Sequence, residues 1–161
     1  MQKNLYFTGK NAAQKLRSWE GALEETRKHW KTLDRKNSAL IVIDMQEYFL
    51  GSTSHAFVPT AAAITPNIQK LVQAYRKDNL PVIFTYFAVE KGEADPIGNW
   101  WGRSVVEGSK ECKIVDQLAP KDGETVLRKS SYNSFSGTDL KKILESQNIS
   151  QLVVTGVLSN L

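Results

Sequence analysis

Asp44 closes the apolar run Ser38-Ala39-Leu40-Ile41-Val42-Ile43. A carboxylate in that position is partly desolvated and its pKa is open to upward tuning, which suits a group that accepts or returns a proton. Lys129 follows a second short run, Glu124 to Arg128, that reads as a strand. Singly, Asp44 would serve equally as a cap for the next turn, and a lysine after a strand is ordinarily solvated. Together, at the carboxyl ends of two strands, they form a pair that a nucleophilic site could use: one group moves a proton and the other holds charge in place.

The elements that would position them can be read from spacing. The run from Ser38 is short, continuous and apolar, the pattern of a buried parallel strand. Leu80 to Val89, opened by Pro81, reads as a second buried strand, and Gln151 to Thr155 as the last. Between them, Ile68, Leu71, Val72 and Tyr75 share one face of a helix expected over residues 65–78, with Thr65 as cap and Pro66 at the first helical position. A weaker helix is expected at Glu111 to Leu118, and another from Thr138 to Ser146 with Leu140, Ile143 and Leu144 on one face. Residues 90–108 form a loop with two adjacent tryptophans, too long and too aromatic for a mere connector, and are expected to wall a pocket. Ahead of all this, Ala12, Leu16, Trp19, Leu23, Trp30 and Leu33 line one face of an amphipathic helix that reads as a packing arm. Strands alternating with helices predict an α/β domain, a doubly wound, mainly parallel sheet with helices on both faces. Such sheets bind ligands at the carboxyl ends of their strands.

The bulk numbers suit one globular domain: 161 residues, 41% hydrophobic and 24% charged. The expected division is a helical arm over 1–36 and the α/β domain over 37–161. A net charge of +4 is spread over 21 basic and 17 acidic residues without a long basic run, which argues against a nucleic-acid partner. The single cysteine, Cys112, cannot form an intramolecular disulfide, and it is expected to be an ordinary buried thiol. No apolar run is long enough to span a bilayer, and residues 1–10 lack the apolar centre of a signal peptide. A cytoplasmic protein with no membrane partner is the expectation.

Three blocks in order, Ile41-Val42-Ile43-Asp44-Met45-Gln46, then Lys129-Ser130-Ser131-Tyr132-Asn133-Ser134-Phe135 with Thr138-Asp139-Leu140, then Val153-Val154-Thr155-Gly156-Val157 followed by Ser and Asn, closely resemble the signature blocks of the isochorismatase-like hydrolases. The resemblance covers residues 38–161. It implies a Rossmann-like cysteine hydrolase in which Asp44 is the general base or acid and Lys129 its charge-setting partner. The family places the nucleophilic cysteine just after the last block, in the position following Leu161, with a non-proline cis peptide that would here be Val157-Leu158, aiming an amide at the oxyanion. The substrate pocket is expected to draw on Gln46, Phe49, Phe87, Trp100, Trp101 and Tyr132.

The family's metal-dependent branch carries an Asp and His cluster after the second strand. Residues 86–90 offer none, and His29 and His55 are badly placed, so no metal and no other cofactor is expected. Isochorismatases proper usually have a glutamine near Phe87 and an alanine in place of Ser134, whereas Trp101-Gly102 resembles their pocket tryptophan. Members of the family normally continue for two more strands and helices. The strand over 152–155 would otherwise be a bare apolar edge, so the polypeptide is expected to extend past Leu161, with an interruption at a modified cysteine or a cleavage there favoured over a natural short form. The expected function is cleavage of an amide-type C–N bond in a small molecule, anionic or aromatic, by a homo-oligomer. The alternatives are vinyl-ether hydrolysis without a thiol and a non-catalytic binding or effector module. Cysteine after Leu161 would favour the first, glycine the second and a bulky apolar residue the third.

Overall fold

A computed structural model of the chain describes residues 6–24, 26 and 32–157. Helix α1 (Ala12–Leu23) comes first and buries none of its own residues; Phe7 stacks on Trp19 with 5.5 Å between ring centroids. The helix expected through Leu33 ends earlier, where the Thr26 hydroxyl donates to the Leu23 carbonyl and takes a group the helix leaves unpaired. Residues 32–34 are not helical, and Trp30 lies outside the described residues.

The domain proper begins with β1 (Ser38–Ile43), followed by α2 (Glu47–Leu50), α3 (Ala61–Lys77), β2 (Val82–Phe87), α4 (Pro96–Trp101), β3 (Thr125–Lys129), α5 (Leu140–Ser146) and β4 (Gln151–Gly156). The four strands described form one parallel sheet in the order β3-β2-β1-β4. The order explains the composition of the strands. β1 and β2 lie inside and are apolar on both faces, while β3 and β4 flank them and are only partly covered. On one face Leu40, Val42, Val82 and Phe84 pack against Ile68, Val72 and Tyr75 of α3. On the other Ala39, Ile41 and Ile83 meet Leu140 and Leu144 of α5. Each buried Val, Leu, Ile or Phe among them, taken from water, contributes roughly 1.5–3 kcal/mol. Helices on both faces of a parallel sheet make this a doubly wound α/β fold, as the spacing predicts. Among the described residues no helix is long and apolar enough to cross a membrane.

Three expected elements differ in detail. Helix α3 starts at Ala61 instead of Thr65, because three alanines, the strongest helix formers, carry it back a turn. Thr65 therefore sits inside the helix and its hydroxyl donates to the Ala61 carbonyl at 2.8 Å, while Pro66 is interior and not at the first position. The helix expected over residues 111–118 is replaced by 3-10 turns at Lys110–Cys112 and Asp116–Leu118. Backbone groups that a helix would have used go elsewhere: Lys113 O accepts from Glu47 N (2.9 Å), and Val115 N donates to Met45 O (3.0 Å). Cys112 is half-buried in the first of those turns, its thiol donating to Ser109 O. Finally, the aromatic loop contains α4, which Asp95 caps by accepting from Gly98 N at 2.6 Å; Pro96 starts it and Gly102, at φ 76°, ends it.

At the last residue of β4 the backbone of Gly156 has φ 120° and lies so close to β1 that a Cβ would run into the Ile43 carbonyl. Only glycine lets β4 pair with β1 up to its end. Gly156→Ala is therefore expected to destabilise the domain by about 2–3 kcal/mol, the cost of overpacking plus strain at positive φ. Denaturant unfolding of the variant beside the parent would measure it; equal midpoints would contradict the close approach.

Candidate active site

The parallel register brings four strand ends to one edge of the sheet. Ile43 stands opposite Thr85 on one side and Gly156 on the other, and Phe87 stands opposite Lys129. Asp44 follows β1 directly, and its backbone is turned into the left-handed region at φ 52°. Aspartate tolerates that region better than most residues, and the turn is held from both sides. Asp44 N donates to Thr85 O (3.0 Å) and Asp44 O accepts from Gln46 N (2.8 Å).

Lys129 lies on β3, two strands away from β1. At a strand spacing of about 4.8 Å, only a long side chain can bridge that gap across β2. Lysine does so: its ammonium passes 5.8 Å from the centre of the Phe87 ring and reaches Asp44 Oδ2 at 2.6 Å. It also donates to Ser131 O at 3.3 Å, and Thr85 Oγ1 donates to the other carboxylate oxygen at 3.1 Å. Both partners are buried, with side-chain exposures of 4% for Lys129 and 9% for Asp44. Burial pushes the Asp44 carboxyl above its ordinary value, and the facing Lys129 ammonium and Thr85 hydroxyl pull it part of the way back.

The pair forms the floor of a cavity of about 380 Å³, a size that takes a small organic molecule. Its walls are Ile43, Tyr48, Phe49, Phe87, Ile97, Trp101, Tyr132 and the end of β4 with Val157. Trp101 Nε1 donates to the Tyr132 hydroxyl at 2.8 Å, joining the end of α4 to the turn after β3.

A family model described as the isochorismatase domain matches residues 38–161. The chain belongs to the isochorismatase family. It is 29% identical over 133 residues to an isochorismatase of Bacillus subtilis, covering 80% of this chain and 41% of that protein. It is 32% identical over 127 residues to an N-carbamoylsarcosine amidase of Arthrobacter, covering 73% and 48%. A crystal structure of a cysteine hydrolase from Pseudomonas syringae superposes with a TM-score of 0.76 at 26% identity, over 81% of this chain and 64% of that one. The chain spans under half the length of both curated relatives.

Within this isochorismatase domain, Asp44, Lys129, Phe49, Phe87, Trp101, Tyr132 and Val157 meet at one cavity. Two residues expected in its wall are absent from it. Trp100 points outward, 77% exposed, because consecutive residues of a helix face different ways. Gln46 is fully buried beneath the site and works on the backbone: its amide donates to Phe87 O (3.0 Å) and Glu111 O (3.1 Å), and accepts from Phe87 N (2.8 Å). Gln46 thus pins the end of β2 and with it the Phe87 ring. Val157 N donates to Ile43 O at 3.1 Å, while Leu158, and so the expected Val157-Leu158 peptide, lies outside the described residues. Sequence reasoning missed Thr85 and Tyr48. A single hydroxyl inside the apolar run Val82-Ile83-Phe84-Thr85 was the available signal for the first; Tyr48, whose OH lies 3.3 Å from His55 Nε2, gave none. No group of three or more His, Cys, Asp or Glu that could hold a metal occurs among the described residues.

Removing Lys129 would leave Asp44 buried without its counter-charge. Lys129→Met is expected to cost about 3 kcal/mol at pH 7, in line with breaking other buried pairs. The cost depends on pH in a defined direction. With the folded-state pKa of Asp44 raised, the stabilisation from binding its proton is fully present below the ordinary carboxylate value of about 3.9 and is lost as pH rises through the folded value. Without Lys129 that folded value climbs further, so the deficit should shrink between pH 7 and pH 4. Unfolding titrations at both pH values test this; a deficit equal at the two would mean that Asp44 is not the group left exposed to burial.

Proposed function

We propose that the protein is a hydrolase that cleaves an amide-type C–N bond in a small molecule through a cysteine thiolate. The observation that carries this reading is the 2.6 Å contact between Asp44 and Lys129 on the floor of a largely apolar cavity at the carboxyl edge of the sheet. A buried carboxylate with a raised pKa is a better proton acceptor than one in water, and a fixed ammonium keeps it ionised and favours a neighbouring thiolate. The family resemblance gives the thiol the position after Leu161. Relatives named as an amidase and as a cysteine hydrolase support the choice of bond and nucleophile.

In the first step Asp44 takes the thiol proton, the sulfur bonds to the amide carbon, and the C–N bond breaks as Asp44 returns the proton to the departing amine. Water then attacks the resulting thioester. Asp44 takes its proton and passes it back to the sulfur, releasing a carboxylic acid and restoring the thiol. The family resemblance assigns the oxyanion to a backbone amide at Val157-Leu158. A reducing compartment such as the cytoplasm would preserve the thiol.

Asp44→Asn keeps the shape of the side chain and removes its ability to take a proton. In a polypeptide that includes the position after Leu161, turnover of an amide substrate by the folded variant is expected to fall by about 10²–10⁴-fold, and the unfolding midpoint is expected to drop as well, because the buried Lys129 ammonium loses its counter-charge. A near-normal rate in that variant would overturn the mechanism. In the parent, kcat/KM should decline on the acid side with an inflection above the ordinary carboxylate value, because protonated Asp44 no longer acts as a base.

A further inference from the structure

The walls of the cavity carry little charge to offer a ligand. Among the described residues only Asp44 and Lys129 line it with ionisable acid and base, and they neutralise each other. The guanidinium groups nearby are committed elsewhere. Arg103, just past α4, pairs with Glu111 at 2.8 Å outside the cavity. Arg128 precedes Lys129 on β3, so the strand alternation sends it the other way, to Ala88 O (3.0 Å) and Glu93 (2.8 Å). A carboxylate entering here would give up its water beside Asp44 and find an ammonium already shared with Asp44 and Ser131 O. Flat apolar surface, by contrast, is abundant: Phe49, Phe87, Trp101 and Tyr132 present rings.

At the rim, the bond between Trp101 and Tyr132 has a direction. An indole N–H can only donate, so it occupies a lone pair of the Tyr132 oxygen and leaves the phenol proton for something else. Tyr132 lines the cavity and is 48% exposed, so a ligand can reach that proton.

We propose that this cavity selects uncharged, planar molecules over carboxylates, and that Tyr132, held in orientation by the Trp101 N–H, is the specificity-determining donor to a ligand oxygen or nitrogen. The assignment of substrate class rests on the reading of this cavity as the reacting site; ligand binding itself does not need turnover. The class also weighs against a dianionic vinyl ether as the substrate, which would bring two carboxylates to a cavity whose described lining residues offer no cation besides Lys129.

Calorimetric titration of the protein with benzamide and with benzoate, matched in shape and differing in charge, tests the selection directly. Benzamide is expected to bind at least about tenfold more tightly than benzoate at pH 7. Tyr132→Phe and Trp101→Phe each keep a ring in place and remove one hydrogen-bonding group, and each should raise the Kd for benzamide by about five- to tenfold. The double variant should bind no worse than Tyr132→Phe alone, because the indole acts through the phenol oxygen. Losses that multiply in the double variant would overturn the orienting role of Trp101. Benzoate binding as tightly as benzamide, or benzamide failing to bind, would overturn the substrate class. Binding in the expected order without any hydrolysis of amides would leave this inference standing and remove the proposed reaction instead.

Discussion

The ion pair between Asp44 and Lys129 is the constraint to which the surrounding structure answers. Two charges taken out of water are each costly, and their attraction repays that cost only when the contact is close and the remaining hydrogen-bonding capacity is used. Here the contact is 2.6 Å, Thr85 serves the second carboxylate oxygen, and Ser131 O takes a further ammonium proton. Each of those partners is placed by the sheet. Thr85 is there because β2 runs between β1 and β3 in parallel register, and Ser131 because the chain turns as soon as β3 ends. A one-residue slip of β2 would put an apolar side chain against the carboxylate and turn Thr85 to the other face.

Much of this was legible in the sequence because burial on both faces leaves a plain mark. An uninterrupted apolar run ending in an acid announces β1 and Asp44 together, and the alternation of strands and helices announces the doubly wound sheet. What was not legible depends on partners distant in sequence. Residues 111–118 have helical composition, yet their backbone pairs with residues 45–47, and no local pattern reveals that competition. Gln46 looks like a polar residue beside a site; only its three bonds to Phe87 and Glu111 show it bracing the backbone. Helix α4 is a different case, since Asp95-Pro96 followed by Gly102 is a local start and stop signal that the aromatic content of the loop obscured.

Glycine and aspartate divide the conformational strain of the site between them. Gly156 at φ 120° lets β4 come against Ile43, and Val157 N then donates to the same Ile43 carbonyl. Asp44 at φ 52° turns away from the strand one residue later, so its side chain meets Lys129 over Phe87. Both departures from extended backbone occur within one layer of the sheet. The hydrogen bonds that hold that layer, Asp44 N to Thr85 O and Val157 N to Ile43 O, are continuations of the ladders below it. The rigid sheet thus imposes the unusual conformations, which loops alone would relax.

The same burial sets both the chemistry and the selectivity proposed for this cavity. A carboxylate becomes a stronger base when water is kept from it, and here aromatic walls help to exclude water while the described lining residues add no charge beyond the pair. Lysine as the partner meets both needs: its stem crosses β2 alongside the Phe87 ring, and its single charge cancels that of Asp44 without leaving a planar fork of donors open to anions. A second cation in the wall would draw in anions and solvent, hold Asp44 ionised at lower pH and weaken it as a base. An uncharged ligand is therefore what a cavity arranged around one self-neutralising pair is best able to accept, and the hydrogen bond from Trp101 to Tyr132 supplies orientation without adding charge.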